Sequence, residues 1–110
     1  MAYDETLAHR IRQLLAARPD MAEKKMFGGI GFLLHGNMAC GVIRDTLIVR
    51  VGPERYEESL ELPHALVFDM TGRAMKGWIT VSAEGYASSH DLEHWLELGV
   101  GFAKTLPPKS

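Results

Sequence analysis

Cys40 is the only thiol in the chain, and a nucleophilic cysteine needs a base beside it. It falls in the middle of an apolar alternating run, where a thiol serves as a small buried hydrophobe, and His35 lies beyond the turn without an evident pairing to it. His90 and His94 stand four apart with Glu93 between them, a spacing that sets two imidazoles on one side of a helix. The pattern lacks a third ligand, so a solvated first helical turn is expected, without a metal. Gly28-Gly29-Ile30-Gly31 is rich in glycine, but a phosphate cradle lies between a strand and a helix N-terminus, and no helix follows here. Val51-Gly52-Pro53-Glu54 does run from strand to helix, yet Pro53 has no amide hydrogen and Glu54 is acidic. Lys24, Lys25, Arg73 and Lys76 flank glycine turns and would form a patch only if their segments meet. No paired carboxylates, Ser-His-Asp set or CxxC motif stands out, so no catalytic residue and no cofactor are assigned.

The elements that must position these residues are legible from caps, turns and periodicity. Asp4 caps a first helix whose Leu7, Ile11, Leu14 and Leu15 share a face, with Pro19 at its end. Ile30–Leu34, Met38–Ile43 and Thr46–Val51 read as a meander of three strands, turning at His35-Gly36-Asn37 and Arg44-Asp45. A three-residue loop pairs Leu34 with Met38 and Phe32 with Cys40, and a two-residue turn pairs Ile43 with Thr46 and Cys40 with Val49. Ile30, Phe32, Leu34, Met38, Cys40, Val42, Leu47, Val49 and Val51 then share one wholly apolar face. Glu23–Phe27 reads as the start of the first strand, broken by a bulge or bend at Gly28-Gly29.

Gly52-Pro53 opens a short helix with Tyr56 and Leu60 inward and Pro63 at its close. Leu66–Met70 and Trp78–Ser82 read as two further strands. The last helix runs from about Ser89 to Leu106, with Ser88 and Asp91 at capping-box spacing and a stripe of Leu92, Trp95, Leu96, Phe102, Ala103 and Leu106. The order α-β-β-β-α-β-β-α predicts an α+β two-layer domain, an antiparallel sheet of about five strands with helices on one face. The opposite face carries Gly31, Leu33, Ala39, Gly41, Ile48, Arg50, Trp78 and Thr80, too apolar to be left wet. Either a helix or loop of the chain covers it, or it is a subunit interface or ligand surface built around Trp78 and Arg50.

Composition narrows the classes. A length of 110 residues holds one domain, and 46% hydrophobic with 24% charged residues excludes disordered and fibrous chains. A net charge of −2 disfavours a domain that holds nucleic acid mainly by neutralising phosphate. One cysteine allows no internal disulfide, and the start shows neither a basic nor an apolar leader region, so a cytoplasmic location is expected. No apolar run reaches the roughly 20 residues of a membrane span, so no membrane partner is expected.

Lys24-Lys25-Met26-Phe27-Gly28-Gly29, then Phe32-Leu33 and Gly36-Asn37-Met38, resemble the signature of the TfoX/Sxy N-terminal domain. Val49-Arg50-Val51-Gly52-Pro53 and Met75-Lys76-Gly77-Trp78 are similar to further blocks of that family in the same order, and the resemblance runs from about Tyr3 to Pro108. It implies a two-layer, secretion-chaperone-like fold and a bacterial protein. The better-known members regulate competence for transformation, acting with a cyclic-AMP receptor protein on transcription. Those members carry a second, helical domain that this sequence does not contain, so a stand-alone N-terminal domain over residues 1–110 is expected. The family supplies no catalytic residue.

The resulting expectation is a non-enzymatic regulatory or protein-interaction domain with an unidentified protein partner. A homodimer through the face of Ile48, Arg50 and Trp78 is one form of it. The alternative is a nucleic-acid or small-anion module using Lys24, Lys25, Arg50 and Lys76. The motif and candidate binding residues are Lys24, Lys25, Phe27, Gly28, Gly29, Arg50, Lys76 and Trp78.

Overall fold

The computed structural model of the chain describes residues 3–18, 20–26, 28–69 and 74–108, with Met26 described for its backbone only. Pro19, Phe27, Met70 and Arg73 therefore lie outside the described residues. Helix α1 spans Glu5–Leu15, and the carboxylate of Asp4 accepts from the amides of Thr6 and Leu7, as its cap position requires. Strands β1 (Met21–Met26), β2 (Gly29–Leu34), β3 (Asn37–Ile43) and β4 (Thr46–Arg50) follow, then helix α2 (Tyr56–Leu60). Strands β5 (Ala65–Val67) and β6 (Trp78–Val81), a 3-10 turn at Ala83–Tyr86 and helix α3 (Ser89–Ala103) complete the chain. The strands form one antiparallel sheet in the order β1-β2-β3-β4-β6-β5. This is the α+β class expected, with one strand more than the sequence suggested.

The extra strand comes from the segment before the glycines. It does not continue into β2 through a bulge. It folds back on β2 as a hairpin, Met26 opposite Gly29, and Gly28 takes φ +77° at the turn. The next turn also differs from the expected three-residue loop. His35 and Gly36, at φ +51° and +83°, make a two-residue turn of the primed kind, and Asn37 joins β3 opposite Leu34. The register recovers through a bulge: Leu33 pairs with Met38 and Phe32 with Cys40, leaving Ala39 as the extra residue. Cys40, Val42, Leu47 and Val49 therefore keep the expected pairings and are fully buried. Met38 instead moves to the opposite face with Leu33, and the buried Asn37 takes its place, donating from Nδ2 to the carbonyl of Pro107 at 2.9 Å.

Three ends shift as well. Gly52 at φ +88° and a turn over 53–55 delay α2 to Tyr56, so Pro53 is not its first residue. Strand β5 is Ala65–Val67, shorter and one residue earlier than read. Helix α3 ends at Ala103, and Thr105 and Leu106 bond back three residues instead of four, which tightens the last turn.

Helices α1 and α3 share one side of the sheet, and their Leu7, Ile11, Leu92, Leu96 and Val100 join the β-strand residues in a single core. Helix α3 approaches β3 closely at Gly99, where an added Cβ would lie 2.3 Å from the carbonyl oxygen of Ala39. The 3-10 turn, absent from the sequence reading, ties the layers together. Trp95 donates from its indole to the carbonyl of Gly85 at 2.9 Å, Arg10 donates to that of Tyr86 at 2.9 Å, and the Tyr86 hydroxyl donates to that of Asp45.

Candidate interaction face of the sheet

The side of the sheet away from the helices is the region the sequence singled out. By register it carries Lys24, Leu33, Met38, Ile48, Thr80 and Leu66 across the strands, with Gly29, Gly31 and Gly41 between them. None of its strand positions is acidic, in a chain with 14 Asp and Glu. Ile48 is only 2% exposed yet stands apart from the helix-side core. Its cross-strand partner Gly41 has the methyl of Met38 above it, 2.6 Å from where a Cβ would sit, so the displaced Met38 helps close this face over Ile48. Leu33, Met38 and Trp78 remain half-buried, so among the described residues the face is partly closed by its own side chains.

Arg50 and Trp78 face each other at the end of β4 and β6. The Arg50 guanidinium lies 5.2 Å from the centre of the Trp78 ring and 5.3 Å from that of Phe102, close enough to both for cation–π attraction. Phe68 extends the group, its ring 6.2 Å from Trp78 and inclined at 52°. Backbone explains the assembly. The carbonyl of Gly77 accepts from both Val51 (2.8 Å) and Gly52 (3.0 Å), and Gly77 has φ +96°. A Cβ on Gly52 would meet the Phe102 ring at 2.4 Å. The Val49–Pro53 and Met75–Trp78 blocks, separate in sequence, thus form one unit held by two glycines whose positive φ favours no side chain.

The candidate site residues fall into two groups. Arg50, Trp78 and the exposed Lys76 share the end just described. Lys24, Lys25, Gly28 and Gly29 belong to the β1–β2 hairpin, and Phe27 lies outside the described residues. Lys24 is three strand spacings from β4, roughly 14 Å. Lys25, opposite Ile30, lies on the helix side by register. The four cations therefore do not converge.

Other candidates resolve individually. Cys40 is fully buried, and loss of solvation pushes its thiol up to about 12. At pH 8 such a group is ionised in roughly one molecule in ten thousand, against about a quarter for a free cysteine near 8.5. A thiol reagent is expected to label the native protein at least about a thousandfold more slowly than the urea-unfolded protein, and comparable rates would mean that the strand opens freely. His90 and His94 are exposed on the first turns of α3. His94 lines a depression of about 300 Å³ with His64, Glu84 and Asp91, and among the described residues no three His, Cys, Asp or Glu side chains are placed to hold a metal ion.

A larger cavity of about 570 Å³ separates residues 51–55 from α3, and the sequence reading missed it. Glu97 on its wall is held by Arg18, and Thr105 donates to the carbonyl of Phe102 at 2.7 Å, so Glu54 and Arg55 are the charged groups left to face it. The only sequence signal for it was the Gly52-Pro53 break after β4. No helix among the described residues is long and apolar enough to cross a membrane.

Fold and face together define a two-layer α+β domain whose helices, among the described residues, pack on one side of the sheet. Residues 13–103 match the TfoX N-terminal domain, and the chain belongs to that family. No curated protein matches it.

Proposed function

We propose that this chain is a non-enzymatic regulatory domain that acts by binding another protein, with the helix-free face of the sheet as its contact surface. The observation that carries this reading is an apolar sheet face without acidic strand positions, bounded by Lys24 on one side and by the Arg50–Trp78 pair on the other. Aromatic and arginine side chains set in an apolar surround are the usual anchors of protein interfaces. A role in transcription or competence regulation in a bacterial cytoplasm belongs to the same proposal and draws on family membership. The separation of Lys24 and Lys25 from Arg50 and Lys76 disfavours a single small anion held by all four.

The test is affinity capture from the native cell with the wild type beside Leu33→Glu and Trp78→Ala. A partner recovered by the wild type, lost by both face variants and retained by a Glu93→Lys variant on the exposed side of α3 supports the reading. Retention of the same partner by all variants overturns it. Ile48 is unsuited to the experiment, because its burial would make a charged variant a test of folding. An oligonucleotide retained by the wild type and lost on Arg50→Ala or Lys76→Ala would support the anion module instead.

A further inference from the structure

The two edges of the sheet are built differently. The β1 edge carries Glu23, Lys24 and Lys25, and Arg12 grips Glu23 through Nε (2.5 Å) and Nη2 (2.7 Å), an arrangement that discourages strand addition. The β5 edge, Ala65-Leu66-Val67, carries no charge. Leu66 is 63% exposed and Val67 44%, and these are the exposed large hydrophobics among the described residues. They point to opposite faces: Leu66 lies level with Thr80 and Ile48, Val67 with Ile79 and Val49. A partner laid on either face would cover one and leave the other in water. A strand added at the edge would cover both.

The backbone is ready for such a strand. Ser82 donates to the carbonyl of His64 and Val51 to that of Gly77, which sets the phase of the ladders on both sides of β6. In that phase Leu66 turns its N–H and C=O toward Thr80, and Val67 turns its N–H away from the sheet; the Val67 carbonyl accepts a long bond from the Thr80 hydroxyl at 3.5 Å and keeps its second lone pair. Ala65 also faces away, but its N–H already donates to Leu62 at 3.2 Å.

We propose that β5 pairs with β5 of a second copy of this chain, antiparallel, about a two-fold axis at Val67. The available groups select this register. Val67 would exchange both hydrogen bonds with the partner's Val67, and the occupied N–H of Ala65 would be called on only at the flanking pair with Asp69. An axis at Leu66 would require that occupied N–H, and one at Ala65 would also set Val67 against Pro63, which has no N–H to give. The side chains agree. Leu66 would face the partner's Phe68, an apolar–aromatic pair that continues the open face from one sheet to the next, and Asp69 would face the partner's Ala65 and not another acid. So short a pair buries less than the roughly 1,200–2,000 Å² of a stable interface, so the association is weak and concentration-dependent. It is independent of what the open face binds.

The test uses two single-cysteine additions under oxidised glutathione at about 0.5 mM protein, where weak pairing is populated. In the proposed register the Cα atoms of residue 67 and its mate lie ~5.5 Å apart, within disulfide reach, whereas those of residue 66 and its mate lie ~8 Å apart and outside it. Val67→Cys is expected to form covalent dimer at least tenfold faster than Leu66→Cys, with the wild type, its Cys40 buried, forming none. Sedimentation of the wild type at that concentration should show association that Val67→Pro abolishes, and the fold should survive because that N–H lies outside the ladder. Equal cross-linking at the two positions, a wild type that stays monomeric, or a Val67→Pro variant that associates like the wild type would each overturn the proposal.

Discussion

Trp95→Ala is expected to lower the free energy of unfolding by about 3–5 kcal/mol, the range for deleting a large buried aromatic side chain. A domain of this size has about 5–15 kcal/mol in all, so the variant should be the least stable single substitution discussed for this chain. Two losses combine. The ring leaves a void in the core between α3 and the sheet, and the carbonyl of Gly85 loses the indole N–H that approaches it at 2.9 Å. Trp95→Phe separates them: it keeps much of the volume, removes the donor, and should cost about 1–3 kcal/mol for the unpaired carbonyl. Urea unfolding of the three proteins reads both numbers. If Trp95→Ala falls within about 1 kcal/mol of the wild type, an ordinary surface value, then α3 does not rest on the 3-10 turn in the manner described.

Two glycines on α3 should respond to alanine with opposite signs. Alanine is favoured over glycine in a helix interior by about 0.8–1 kcal/mol, so propensity alone stabilises both variants. At Gly101 nothing lies within 4 Å of the added carbon, and Gly101→Ala is expected to gain roughly 0.5–1 kcal/mol. At Gly99 the new carbon would sit 2.3 Å from the carbonyl oxygen of Ala39 and 3.1 Å from its carbon. Both are backbone atoms that no rotamer change can move, so α3 must back away from β3. Overpacking of this kind costs about 1–3 kcal/mol or more, enough to outweigh propensity and leave Gly99→Ala net destabilised. Thermal or urea unfolding of the pair tests the helix–sheet contact directly, and a stabilised Gly99→Ala would mean that the helix stands further from the sheet.

The local features of the fold could be read in advance because their causes are local. Asp4 caps α1 through amides two and three residues away, and Ser88 caps α3 through the amide of Asp91. Arg44-Asp45 fixes the β3–β4 register because a two-residue turn leaves no slack between Ile43 and Thr46. Cys40 could be placed in the core from that register alone. Along the β2–β3 hairpin the same reasoning misassigned Met38, because a shorter turn and a bulge cancel two residues later and leave the distal pairs unchanged. Periodicity reports the average phase of a strand and is blind to a slip that is undone within it.

By itself, the sequence determined the α+β class, the helix-side core and the family to which the chain belongs, since alternation, caps and motif order are properties of neighbours along the chain. The tertiary structure alone decided that Lys24 and Lys25 stand apart from Arg50 and Lys76, because strand order sets their distance and no local signal encodes it. It also decided that Arg50 rests on Trp78 and Phe102, side chains that lie 28 and 52 positions further along the chain and are brought there by Gly77 and Gly52. The exposed β5 edge belongs to the same class of fact. A three-residue apolar run reads alike in the middle of a sheet and at its border, and only the order of the strands places Val67 at the border.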